Sequence, residues 1–193
     1  MSSAPEGTGS NLISDEELQK ISIGERTPHN APIALVEYDP AWPLLYAREA
    51  DRIRAALGDR VVLLEHTGST SVPGLAAKPI IDMTLAVADT TAEGDYVPPL
   101  EAAGYVLRIR EPDWYEHRLF KGTDPDVNLH VFSTGCEEIG RMLRFRDRLR
   151  SSPEDRDLYL GRKRELAART WRYTQNYADA KSAVVEEILG RAG

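Results

Sequence analysis

The chain has 193 residues, 41% of them hydrophobic and 28% charged, with a formal net charge of -7. That composition suits one globular domain with a sizeable core, or one domain with a helical appendage, and argues against two large domains. The acidic balance argues against a duplex DNA binder, whose affinity rests on Lys and Arg neutralising phosphates, and the single cysteine, Cys136, excludes an internal disulfide and a thiolate metal cluster.

In chain order, Met1 to Gly9 is rich in Ser, Gly and Pro and has little to bury, so the first 30 residues are expected to form a flexible arm carrying one short helix. That helix starts at "SDEE", where Ser14 is the N-cap and Glu17 its box partner. "IALVEY" (Ile33 to Tyr38) reads as a strand, and "DPAW" turns into a helix covering Leu44 to Leu57 that Gly58 ends. "VVLLEH" (Val61 to His66) and "PIIDMTLAV" (Pro79 to Val87) are apolar runs too short for helices and read as buried strands. Helical spacing over Tyr96 to Ala103 stops at Gly104. "YVLRI", "HRLFK" and "NLHVF" then follow at intervals suited to adjoining strands, and from about Glu137 the pattern is helical and heavily charged. The expected fold class is a mixed α/β sheet flanked by helices, with a helical C-terminal third and one domain over residues 31–193. No apolar run approaches the roughly 18 residues of a membrane span, and Met1 to Ser10 lacks the basic start and apolar segment of a signal peptide. A cytoplasmic location is expected.

The chemistry concentrates in "EHTGSTSVPGLAAKPIID", Glu65 to Asp82. Gly68 directly after a strand lets backbone amides approach a bound anion. Ser69, Thr70 and Ser71 offer hydroxyl donors and Lys78 a positive charge, so the loop is a candidate phosphate cradle. The same residues would serve a tight connection whose hydroxyls cap a short turn. Asp82 breaks an otherwise apolar strand, and burying a lone carboxylate is costly unless something pairs with it. A metal set of Asp82, Glu65, His66 and His130 is therefore expected to converge at one sheet end. Among the basic residues, Arg118 of "HRLFK", Arg146 of "LRFRDRLR", and Lys163 and Lys181, each four residues after a Tyr, are candidates to face an anionic ligand.

The stretch "EHTGSTSVPGLAAKPIIDM", with "VEYDPAWPLLYAREADRI", "HRLFK", "NLHVF", "LRFRDRLRSSPEDRDLYLGRK" and "YADAKSAVVEEIL", closely resembles the GrpB (UPF0157) family over about Ile33 to Leu189. The resemblance implies a nucleotidyltransferase fold in which Gly68 and Ser69 hold a triphosphate and Asp82 is the first metal-binding carboxylate. It also implies a divalent cofactor, Mg²⁺ or Mn²⁺. In the superfamily that the resemblance points to, the usual second carboxylate position is Thr84 here, and the position that often carries a third is near His130.

The expected function is a metal-dependent nucleotidyltransferase-like enzyme acting on a nucleoside triphosphate and a small-molecule acceptor, with Asp82, Ser69 and Lys78 as its catalytic residues. The alternatives are a non-catalytic module for a nucleotide or coenzyme A-like ligand, favoured by Thr84, and a metal-dependent condensation or hydrolysis enzyme on the same fold. In each case the partner is a phosphate-bearing small molecule, with no duplex nucleic acid and no membrane.

Overall fold

The computed structural model describes residues 12–191, so the disorder expected for Met1 to Gly9 lies outside the described residues. Five strands form one sheet: β1 (Leu63–Thr67), β2 (Ile81–Val87), β3 (Val106–Glu111), β4 (His117–Thr123) and β5 (Asp126–Ser133), in the order β1-β2-β5-β4-β3. Only β2 and β5 run parallel; the other pairs are antiparallel. The helices are α1 (Asp15–Ile21), α2 (Trp42–Leu57), α3 (Val97–Ala102), α4 (Glu137–Ser151), α5 (Pro153–Ala167), α6 (Thr174–Asp179) and α7 (Ser182–Gly190). This is the expected mixed α/β sheet with a helical C-terminal third.

Side chains alternate across a strand, so the register sorts the sheet into two faces. Met83, Leu85, Leu129, Val131 and Phe120 point to one, where Ile53 and Leu57 of α2 and Leu100 of α3 complete the main core. The other face carries Ala86 and Phe132, which pack with Ile139 of α4. Beyond it Leu149, Tyr159 and Ile188 join α4, α5 and α7 to Val72 and Leu75 of the loop between β1 and β2. The polar residues of β2, Asp82 and Thr84, therefore look toward the C-terminal helices.

Two expectations need correcting. Ile33 to Tyr38 is not a strand: Val36 exchanges backbone bonds of 2.8 and 2.9 Å with Ala77 and makes only an isolated bridge. Its neighbour there is a loop, which offers no ladder to extend. Residues 12–30 do not stand apart as a loose arm either. Ser14 and Glu17 form the full capping box of α1, Leu18 is buried, Ser22 bridges Ile109, and the Ile23 amide donates to Arg108. Among the described residues, no helix is long and apolar enough to cross a membrane.

Candidate functional site

β1 ends at Thr67, and Gly68 turns the chain with φ +66° and ψ -174°, a conformation open in practice only to glycine. The close approach of Asp82 adds a second demand, because a Cβ on Gly68 would lie 2.3 Å from Asp82 Oδ2. A short 3-10 turn over Ser69–Ser71 follows. Its hydroxyls are not equivalent. Thr70 Oγ1 donates to Ile80 O (3.1 Å) and meets His66 Nε2, while Ser71 Oγ donates to Gly68 O at 2.6 Å, and both residues are buried. The side chains of Thr70 and Ser71, expected to bind phosphate, instead hold the loop closed. Ser69 is partly exposed, against the hydroxyl of Tyr159.

The sheet register sets Thr67, Asp82, Asn128 and Lys121 side by side on four adjacent strands. Asn128 links the last three: its amide nitrogen donates to Asp82 Oδ1 at 2.6 Å and its oxygen accepts from Lys121 Nζ. From the helical side come Lys163 of α5 and Lys181 at the start of α7, with Lys78 from the loop before β2. Burial pushes all four lysines below the usual range, Lys163 to about 7 and Lys181 to about 8. The Asp82 carboxylate counteracts the shift at each of them. Lys163 Nζ donates to Ala76 O at 2.6 Å. The ammonium groups of Lys181 and Lys78 stand 4.6 and 5.8 Å from the centre of the Tyr177 ring. The Tyr177 hydroxyl is the one buried side-chain polar atom without a hydrogen-bond partner among the described residues. One carboxylate thus sits among four lysines, beside a glycine-shaped loop.

The expected metal set does not assemble. Among the described residues, no group of three or more His, Cys, Asp and Glu side chains could hold an ion. His66 pairs with Met83 and so points to the opposite face from Asp82, where it stacks on Tyr46 with ring centres 4.7 Å apart. Burial, with Arg150 and Arg146 nearby, lowers it to about 4, so it is neutral at pH 7. Glu65 shares the Asp82 face, but its carboxylate is taken by Arg146 Nη1 at 2.7 Å. His130 is two residues along β5 from Asn128, and its Nδ1 meets Nε2 of His117 at 3.1 Å. Thr84 is fully buried, with its hydroxyl against Thr67 Oγ1 and Met142 Sδ. The residues present do not fit a multi-ligand divalent site.

Two arginines are also displaced from the expected site. Arg118 is paired with Val131 on the α2 face and donates from Nε to Glu93 at 2.6 Å. It lies an odd number of residues from Lys121, so alternation sends the two to opposite sides. Arg146 holds Glu65 and the His66 carbonyl and lines a separate cavity of about 440 Å³ beside edge strand β1, with Tyr46 and Arg150. The structure therefore brings together Gly68, Ser69, Lys78, Asp82, Lys163 and Lys181, and leaves out Glu65, His66, His130, Arg118 and Arg146. Sequence reasoning missed Lys121 and Asn128. Their signal was positional: both belong to strands whose register with β2 sets them beside Asp82.

Comparison with known proteins gives a consistent picture. The family model described as "GrpB protein" matches residues 32–191. A UPF0157 protein of Halalkalibacterium halodurans is 62% identical over 178 residues, covering 92% of this chain and 91% of that one. A dephospho-CoA kinase of Mycolicibacterium paratuberculosis is 32% identical over 197 residues, 89% of this chain, and the chain spans only 48% of that enzyme. Among solved structures, the conserved protein GrpB of Enterococcus faecalis superposes with a TM-score of 0.72 at 31% identity, covering 82% of this chain and 96% of that one.

Proposed function

The chain belongs to the GrpB family, and from that premise we propose that it is a nucleotidyltransferase-like protein that binds the phosphate groups of a small molecule between the Gly68–Ser69 loop and helices α5 to α7. The observation that carries this reading is the charge around Asp82: four lysines converge on one carboxylate inside a protein whose net charge is -7. Clustering buried like charges costs stability, and an anionic ligand is the natural compensation.

In nucleotidyl transfer an acceptor oxygen would attack the α-phosphorus, the bond to the bridging oxygen would break, and pyrophosphate would leave with the bonding electrons. Lysines held by Asn128, the Ala76 carbonyl and the Tyr177 ring are placed to offset the charge that grows on that leaving group, a role of preorganised electrostatics. Asp82, beside the loop, is the group available to take the acceptor's proton. A second reading, a binding module without turnover, is favoured by Thr84: the second acidic position is filled by a hydroxyl sealed beneath Met142.

The test is thermal shift and calorimetry of the purified chain against nucleoside triphosphates, coenzyme A and dephospho-coenzyme A. The last two are included because a dephospho-CoA kinase contains a similar region. A ligand that binds only the folded state raises the midpoint. Lys163→Met and Lys181→Met should each weaken the best ligand about tenfold, the loss of one charge-assisted hydrogen bond. Wild-type affinity in both folded variants refutes this site. Pyrophosphate release on adding acceptor candidates separates the enzyme from the module.

A further inference from the structure

We infer that this site takes a di- or triphosphate group without a protein-held divalent ion, its four lysines doing the neutralising that metal ions do in two-metal phosphoryl transfer. The inference rests on the phosphate reading of the site and adds how the charge is met.

The first support is the row across the sheet. Beside Asp82, where further carboxylates would have to stand to hold an ion, are Thr67 on one side and Asn128 and Lys121 on the other. Hydroxyl and amide oxygens can supplement a carboxylate around Mg²⁺ or Mn²⁺, but here the Asn128 amide is spent between Asp82 and Lys121, the Thr67 hydroxyl meets that of Thr84, and the remaining neighbour is an ammonium. The next row offers Glu65, already bound to Arg146, Thr84, closed off by α4, and His130, whose Nδ1 meets His117. One oxygen of Asp82 accepts from Asn128, and the other stands on the Gly68 side of the site.

The second support is charge. A divalent cation at Asp82 would enter a space lined by four lysines and would be repelled by each one that carries its proton. Four lysines stand around Asp82, with Asp179 acting besides on Lys181 and Asp126 on Lys121, and a di- or triphosphate arriving among them favours the charged form of each lysine more than a monoanion such as a carboxylate would. Lysine meets phosphate as a compact point charge that needs no fixed geometry. The four come from three directions: β4, the loop before β2, and the C-terminal helices. They can therefore surround a chain of phosphates instead of gripping one. The Tyr177 ring lies near both Lys78 and Lys181, and its buried, unpartnered hydroxyl is a further donor for such a ligand.

The test is calorimetric titration of inorganic pyrophosphate and of ATP into the full chain, once in EDTA and once in excess Mg²⁺. Binding is expected in EDTA and should weaken several-fold with Mg²⁺, which neutralises the ligand in advance. Asp82→Asn, confirmed as folded by its melting transition, should bind pyrophosphate at least as tightly as wild type because a repelling charge is gone. Lys121→Gln should bind about tenfold more weakly. Binding seen only with Mg²⁺ would overturn the inference while leaving the phosphate reading intact, as would loss of binding in folded Asp82→Asn. If folded wild type binds neither ligand under either condition, the phosphate reading fails and takes this inference with it.

Discussion

Gly68 shows how one residue can be required twice over. Its φ of +66° with extended ψ belongs to a region that side chains avoid, and a Cβ there would meet Asp82 Cβ at 2.7 Å as well as its carboxylate. Gly68→Ala is expected to cost about 1 to 3 kcal/mol from backbone strain alone, and more from the collision. Urea unfolding at two wavelengths checks it, and a variant as stable as wild type would show that the loop has another conformation available. The pair Arg118 and Lys121 makes a related point. Both are basic residues of "HRLFK", and arginine's fork makes it the more attractive phosphate ligand on side-chain chemistry alone. Parity decides otherwise: Lys121 shares a face with Asn128 and Asp82, whereas Arg118 turns to Glu93 on the far side. Residue type alone could not separate them.

At the scale of elements, α1 is the clearest instance of a local signal whose consequence is tertiary. Its capping box is readable in "SDEE", yet a helix of seven residues is not stable alone. It persists because Leu18 is buried, the chain after it pairs with β3, and the Ile13 amide donates to Asp179 of α6 at 3.2 Å. Leu18→Ala is therefore expected to release residues 13–23. Hydrogen exchange would show it as lost amide protection there with unchanged protection in β2. Equal loss in β2 would mean that α1 is part of the main cooperative unit. The docking also bears on the site, because Asp179 and the Ile13 carbonyl tie the chain before α1 to α6, the helix that carries Tyr177.

Across the whole molecule, an acidic chain concentrates buried positive charge at one place, and that has a pH signature. The folded values of Lys163 and Lys181 lie near 7 and 8, below the roughly 10.4 of an unfolded lysine. Between those limits the unfolded state binds more protons, so stability rises with pH. The cost of the cluster is fully present below about pH 7, shrinks as pH rises through the folded values, and is gone near the unfolded one. The stability of wild type relative to Lys163→Met should accordingly improve from pH 6 to pH 9.5, and saturating pyrophosphate should flatten the trend. Thermal melts at four pH values check both, and a difference independent of pH would mean that Lys163 is not depressed. Much of the molecule was legible beforehand. Short apolar runs between Gly and Pro mark strands because burial and turn chemistry are local, and the loop and Asp82 stand out because a polar residue in an apolar strand has to be compensated. The i, i+4 spacing of Tyr and Lys found Lys163, which shares a face of α5 with Tyr159, whereas Lys181 meets the Tyr177 ring across the break between α6 and α7 and not along one helix. What only the tertiary structure decided was which strands adjoin and in what register. A shift of one residue moves a side chain to the opposite face of a sheet, so His66 left the site and Lys121 entered it, and the absence of a metal-binding set followed from that arrangement in space.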